Sequence, residues 1–184
     1  MRTRDGVNLA LKAIGLAGLA GLTIATPNAI AALGPLLRKS PAPPSDYQKI
    51  MRELKRQGLI MVSQANNSTE LTLTPAGAHR LQRLIIDELE VPTPKKWDHK
   101  WRLIAFDIPV KQSSQRINFT AHLQHLGFYM LQRSLWVHPY PCFKEVEQLA
   151  GYFNVLRYCA FAELAKLDDS STRKLVSKFS ELTK

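Results

Sequence analysis

Cysteine is scarce: the chain of 184 residues has two, Cys142 and Cys159. That is too few for a disulfide framework or a zinc knuckle, and no C-x-x-C pair exists. Both sit in apolar surroundings, which predicts buried free thiols in a reducing cytoplasm. No G-x-S-x-G, P-loop or glycine-rich dinucleotide motif is present, which removes the sequence grounds for several enzyme classes. Gly15, Gly18 and Gly21 are three apart, a spacing that suggests close helix packing rather than phosphate binding. The five histidines include His122 and His125, three apart on a predicted helix. With no acidic ligand nearby they predict a solvated helix face.

Acidic residues are also in short supply, 15 Asp and Glu against 25 Lys and Arg, for a net charge of +10 and a pI near 9.8. The counts are 13 basic minus 8 acidic before His99 and 12 minus 7 after it, so each half carries +5. An excess spread in this way is not a tail. It points to a polyanionic partner, the alternative being a basic but indifferent surface. Apolar content of 45% with 22% charged residues is that of a globular protein with real cores rather than of a disordered one.

Residues 13–37 contain no charge. Their length could span a membrane, and Arg2, Arg4 and Lys12 ahead of them imitate a signal peptide. The run is rich in Gly and Ala, however, and Thr26-Pro27 is a helix-start signal. The run therefore divides into two short core helices, with no membrane span. A proline-rich loop, residues 39–44, precedes a third helix, capped by Ser45, running to Gln57 and stopped by Gly58. Tyr47, Ile50, Met51 and Leu54 share one face of it, and Lys49, Arg52 and Arg56 lie opposite with Gln48 at the edge. Residues 59–62 and 70–73 are candidate strands joined by a polar loop, 63–69, that contains the turn signal Asn66-Asn67. Thr74-Pro75 then caps a helix over residues 76–90.

Helix, helix, helix, hairpin, helix is the winged-helix order. A helix fits the major groove, where Gln48, Arg52 and Arg56 can reach base edges and Lys49 can neutralise phosphate. The expected DNA-binding residues are Gln48, Lys49, Arg52, Arg56, Asn66 and Asn67. Glu53 on the same side weakens the patch, and a merely solvated helix face is the alternative.

V-P-T-P-K-K at residues 91–96 reads as a stiff, extended connector. The domains expected are residues 1–92, a linker at 93–96, and residues 97–184. In the second domain, residues 101–106 have strand composition and end on Asp107 before Pro109. Ser113 or Ser114 can cap a helix to Leu126 with Phe119, Leu123 and Leu126 on one face, ended by Gly127. Strands at 128–131 and 134–137 bend at Gln132-Arg133. A helix carrying Phe143, Val146, Ala150 and Phe153 and a last strand at 155–161 complete β-α-β-β-α-β, the ferredoxin-like unit. A basic amphipathic helix follows at 172–179. The fold class is thus α+β, a winged helix-turn-helix domain plus a ferredoxin-like domain. Trp97 and Trp101 are read as packing anchors at the domain junction, the alternative being a platform for stacking bases.

W-R-L-I-A-F-D-I-P, followed by L-G-F-Y-M-L-Q-R-S-L-W-V-H-P-Y-P, resembles the central domain of the PaaX family of bacterial transcriptional regulators. That domain is similar in turn to the Cas-two family, the ferredoxin-like subunits of CRISPR adaptation. The resemblance implies a cytoplasmic regulator, dimeric through its ferredoxin-like domain, with double-stranded DNA as partner and no cofactor. It also opens a second reading, a metal-dependent endonuclease or CRISPR adaptation subunit. In that reading Asp107 matches the strand-end Asp proposed to hold Mg²⁺ or Mn²⁺ between two protomers, and would be both metal ligand and catalytic residue. Against it, no second carboxylate follows until Glu145, and Asp107 can equally cap the loop or accept N–H groups at the next helix. A third reading is an assembly module whose winged helix binds protein. PaaX regulators carry a further C-terminal domain that these 184 residues lack, so the acyl-coenzyme-A effector of the best-known members is not implied. Both faces of the strand at 101–107 carry large apolar groups, which predicts that a second copy covers the sheet face opposite the helices.

Overall fold

The computed structural model describes residues 3–19, 44–65 and 68–180. The chain forms two compact units, Met1–Asp87 and Glu88–Lys184, dividing just ahead of the proline pair. Helices combine with antiparallel sheets in an α+β class.

The first unit contains α1 (Thr3–Leu19), α2 (Pro44–Arg56), the hairpin β1 (Ile60–Ala65) and β2 (Ser68–Leu73), and α3 (Pro75–Asp87). Its core joins Val7, Leu11 and Ile14 of α1 to Ile50, Met51 and Leu54 of α2, with Leu59, Ile60 and Leu71 of the hairpin and Leu84 of α3. The inner face predicted for α2 is therefore the buried one at these three positions. Gly58, at φ +64, ends α2 through hydrogen bonds from its own N–H to Lys55 O and from Leu59 N–H to Leu54 O. A left-handed residue at this place costs glycine little. Thr74 caps α3 as expected: its hydroxyl accepts from Gly77 N–H at 3.0 Å and donates to Gly58 O at 2.6 Å. Glycine at 77 is required by contact, because a Cβ there would lie 1.9 Å from the Leu59 carbonyl oxygen. A Cβ at Gly15 would meet the Leu81 side chain at 2.1 Å, so the first glycine of the spaced set does mark close packing of α1 on α3.

Three expectations change here. The strands run to Ala65 and resume at Ser68, in register from Ile60↔Leu73 to Ala65↔Ser68, so most of the polar loop predicted at 63–69 is strand. Helix α2 begins at Pro44, which puts Ser45 in its first turn, and α3 ends at Asp87, three residues early. The helix break at Thr26-Pro27 lies outside the described residues. No described helix is long and apolar enough to cross a membrane.

The second unit runs β3 (Trp101–Phe106), a 3₁₀ turn (Val110–Gln112), α4 (Ser113–His125), β4 (Tyr129–Gln132), β5 (Leu135–His138), α5 (Phe143–Tyr152), a second 3₁₀ turn (Leu156–Tyr158), β6 (Cys159–Leu164) and α6 (Asp169–Lys178). The antiparallel sheet has the order β4-β5-β3-β6, the ferredoxin-like arrangement of a split βαβ. Ile104 and Phe106 of β3 point to the helix layer, where Phe106 meets Phe119 of α4 edge-on at 5.5 Å. Phe119, Leu123, Val146, Leu149 and Ala150 fill that layer.

Local corrections have local causes. Pro109 directs the chain into the 3₁₀ turn, closed by Gln112 N–H to Pro109 O. Gln112 then occupies the cap position of α4 without a side-chain hydrogen bond, and Ser113 and Ser114 are inside the helix. After α5, Asn154 takes a left-handed φ of +57, and the chain spends Leu156–Tyr158 in a 3₁₀ turn, so the last strand starts at Cys159 rather than 155. The β4–β5 bend falls one residue late, with an irregularity between Met130 and Gln132.

The largest difference concerns the other sheet face. Leu175 and Phe179 of α6 pack with Trp101 and Val137, joined by Leu103, Tyr129, Leu131 and Leu164. The chain's own last helix thus covers apolar surface that the sequence reading assigned to a second copy.

Candidate nucleic-acid interface

The outer face of α2 is polar along its described length. Gln48, Lys49, Arg52, Lys55 and Arg56 are exposed, and Glu53 is half-buried among them. Two of the cations are held locally. Arg52 Nε donates to the carbonyl of Gln48 at 3.4 Å, which leaves its charge intact. Arg56 forms a two-pronged pair with Glu53, Nε to Oε2 at 2.8 Å and Nη2 to Oε1 at 2.5 Å, and Gln57 adds a 2.6 Å bond to Oε1. Those bonds, Arg56 first, hold the Glu53 carboxyl down at about 2, so it remains anionic at any physiological pH. Arg56 is therefore largely neutralised. Lys55, exposed beside it, was not among the residues picked from the sequence; its signal was its place between two predicted contact residues. Asn66 and Asn67 lie outside the described residues.

In the second domain the sequence-predicted site residue is Asp107. Its backbone N–H donates to Tyr158 O, while its side chain is exposed at the end of β3 and takes no hydrogen bond or ion pair among the described residues. An exposed, hydrated carboxylate incurs no burial cost at this position. The cap expected at α4 is not formed. No group of three or more His, Cys, Asp or Glu placed to hold a metal exists among the described residues. One carboxylate of one chain does not fit a hard divalent cation, which takes several oxygens.

His122 and His125 do not form a site either. The His122 ring nitrogen Nδ1 lies 2.8 Å from Asn118 O and the ring packs on Phe153 at 5.2 Å, while His125 is exposed. Cys142 is buried and burial pushes its thiol up to about 12; Cys159 is half-buried rather than buried, with its thiol at about 11 for the same reason. Both are free and poor nucleophiles at neutral pH.

What the sequence reading missed is an ion-pair network at the start of β3. Arg102, 4% exposed, points its guanidinium at Asp98, with Nη1 to Oδ1 at 2.7 Å and Nη2 to Oδ2 at 2.5 Å. It also donates to the carbonyls of Lys100 and Pro139 and lies 3.2 Å from Glu163 of β6. Lys100 completes the set with Glu163 at 2.6 Å. Arg102 holds the Asp98 carboxyl down at about 2. Trp97 Nε1 donates to Pro139 O at 2.9 Å, and its ring meets Trp101 at 4.9 Å. The two tryptophans are thus packing elements within the second domain. Beside this network an open cavity of about 470 Å³ is walled by Pro92, Pro94, Pro141 and Phe143, with Arg102 and Glu163 among its charged lining.

The second unit is defined by these features as an α+β ferredoxin-like domain in which α6 covers the Trp101 end of one sheet face. Residues 94–176 match the model described as the PaaX protein central Cas2-like domain. The match supports a PaaX-like regulator in general terms. A comparison with curated proteins finds no match to the chain.

Proposed function

We propose that the protein is a DNA-binding transcriptional regulator of PaaX type that contacts duplex DNA through the outer face of α2. The observation that carries this reading is the division of α2 into a buried face, Ile50, Met51 and Leu54, and an outer face of Gln48, Lys49, Arg52 and Lys55. Helix, hairpin and helix in the order α2, β1-β2, α3 suit a winged helix, in which such a helix enters the major groove. The net charge of +10 favours a polyanion. Arg56 contributes least, because Glu53 compensates it.

Dimerisation through the ferredoxin-like domain is the second half of the proposal. With α6 over the Trp101 end of the sheet, the surface left for a second copy is the end that carries Ala105, Leu135 and Ala160, next to Asp107. A two-fold there would present two copies of α2 to a two-fold operator. Sedimentation velocity at micromolar concentration tests it: a monomer throughout would remove this half.

Selection of bound fragments from a random duplex pool tests the first half, repeated with Lys49→Ala and Arg52→Ala. Enrichment of a common motif by the parent chain, lost in both variants, is the expected result. Equal enrichment by all three proteins would remove α2 as the reading helix.

A further inference from the structure

We propose that α6 gives the second domain its own contact with the phosphate backbone of duplex DNA, a contact that is independent of base sequence. This rests on the DNA-binding reading above and extends it to a surface that reading does not use.

Helix α6 is fixed by its inner side. Leu175 is fully buried, Phe179 nearly so, and the Phe179 ring lies 6.1 Å from that of Trp101. At its N-terminus Asp168 accepts from Ser171 N–H at 3.0 Å, so that carboxylate serves as the cap. The outer side carries Arg173, Lys174 and Lys178, all exposed and none ion-paired among the described residues. At 100° per residue they fall within an arc of roughly 140°, spread over about 7.5 Å of helix axis.

Packing does not call for these three charges, because the buried row alone anchors the helix. The helix dipole accounts for Lys178 in the last turn, but Arg173 and Lys174 lie a turn earlier, where that effect has faded. The contrast with Lys100 and Arg102 is direct: those cations are closed onto Asp98 and Glu163. Three cations on one rigid face, none ion-paired among the described residues, form a surface complementary to regularly spaced negative charge. Duplex DNA supplies one charge per about 1.7 Å of axis. An anionic membrane is the less suitable partner, since surface-seated helices also insert apolar side chains. None of the exposed large hydrophobic residues, Met61, Ile85, Val110, Ile117, Met130 and Leu156, is on α6.

The test uses the 184-residue chain and a 30-base-pair fluorescent duplex, titrated by anisotropy across a salt series. The variant Arg173→Gln/Lys174→Gln/Lys178→Gln should bind at least tenfold more weakly near 0.1 M salt. Its log–log salt slope should be shallower by about 2.7, roughly 0.9 for each of the three lost phosphate contacts. The loss should be equal on any duplex sequence, and Lys174→Arg/Lys178→Arg should retain affinity. An unchanged affinity and slope in the triple variant overturns the proposal, as does loss of binding to phosphatidylserine vesicles with duplex binding intact. Should Lys49→Gln/Arg52→Gln bind normally while the triple variant does not, the α2 reading fails and the α6 contact stands. No duplex binding by the parent chain would end both.

Discussion

The ion pairs described in the first domain join neighbours on one helix: Arg56 with Glu53 on α2 and Arg83 with Asp87 on α3, both at the surface. Those of the second domain join a loop, a central strand and an edge strand, with Arg102 buried between Asp98 and Glu163. Exposed pairs within a helix are worth about 1 kcal/mol or less and fix no tertiary contact. A buried arginine that has lost its carboxylate, or the reverse, costs several times more. The difference separates two uses of charge. In the second domain the network holds residues 97–102 to the sheet, whereas in the first the ion pairs described stay at the surface and the core is apolar.

Breaking the network should give the largest effect. Asp98→Ala/Glu163→Ala is expected to lower stability by about 3 kcal/mol, because it leaves the buried Arg102 guanidinium without a carboxylate, as read by chemical denaturation. The corresponding break in the first domain is steric. Gly77→Ala places a methyl against the Leu59 carbonyl, a backbone atom that cannot swing away, and should cost about 2 kcal/mol. Gly15→Ala meets only the flexible end of Leu81 and should cost clearly less in the same assay.

That asymmetry bears on what could be read from the sequence. The ferredoxin-like order, the buried face of α2, the glycine stops at 58 and 127 and the Thr74 cap were legible, because each follows from periodicity or from one residue's backbone preference. The Arg102 network was not. Asp98 and Arg102 are four apart, but Glu163 is 61 residues on, and only the β3–β6 register Arg102↔Glu163 brings it alongside. The role of α6 was half legible: its apolar row pointed to burial, but the sheet face that received it could not be read. In the candidate interface the positions on α2 were legible, whereas the closure of Glu53 on Arg56 depended on rotamers that local sequence does not fix.

Acid sharpens the comparison further. The Asp98 carboxyl titrates at about 2 in the folded chain against an ordinary 3.8. Its contribution is complete above the ordinary value and is lost as pH falls from there to about 2. Because Asp98 is itself 43% exposed, solvent screening limits the effect to about 1 kcal/mol. Thermal melts of the parent chain should lose stability over that window relative to Asp98→Asn, which lacks the titrating group. Smallest of all, Lys49→Ala and Arg52→Ala should change stability by less than about 0.5 kcal/mol, as exposed positions do.

The most direct measurement is duplex-DNA affinity, by anisotropy at one fixed salt concentration, for Lys49→Ala/Arg52→Ala and for Arg56→Ala. The double variant should lose at least tenfold, while Arg56→Ala, whose charge Glu53 already compensates, should lose less than threefold. Equal affinity for the parent chain and the double variant, or a larger loss from Arg56→Ala, would contradict the assignment of α2 as the DNA-contacting helix.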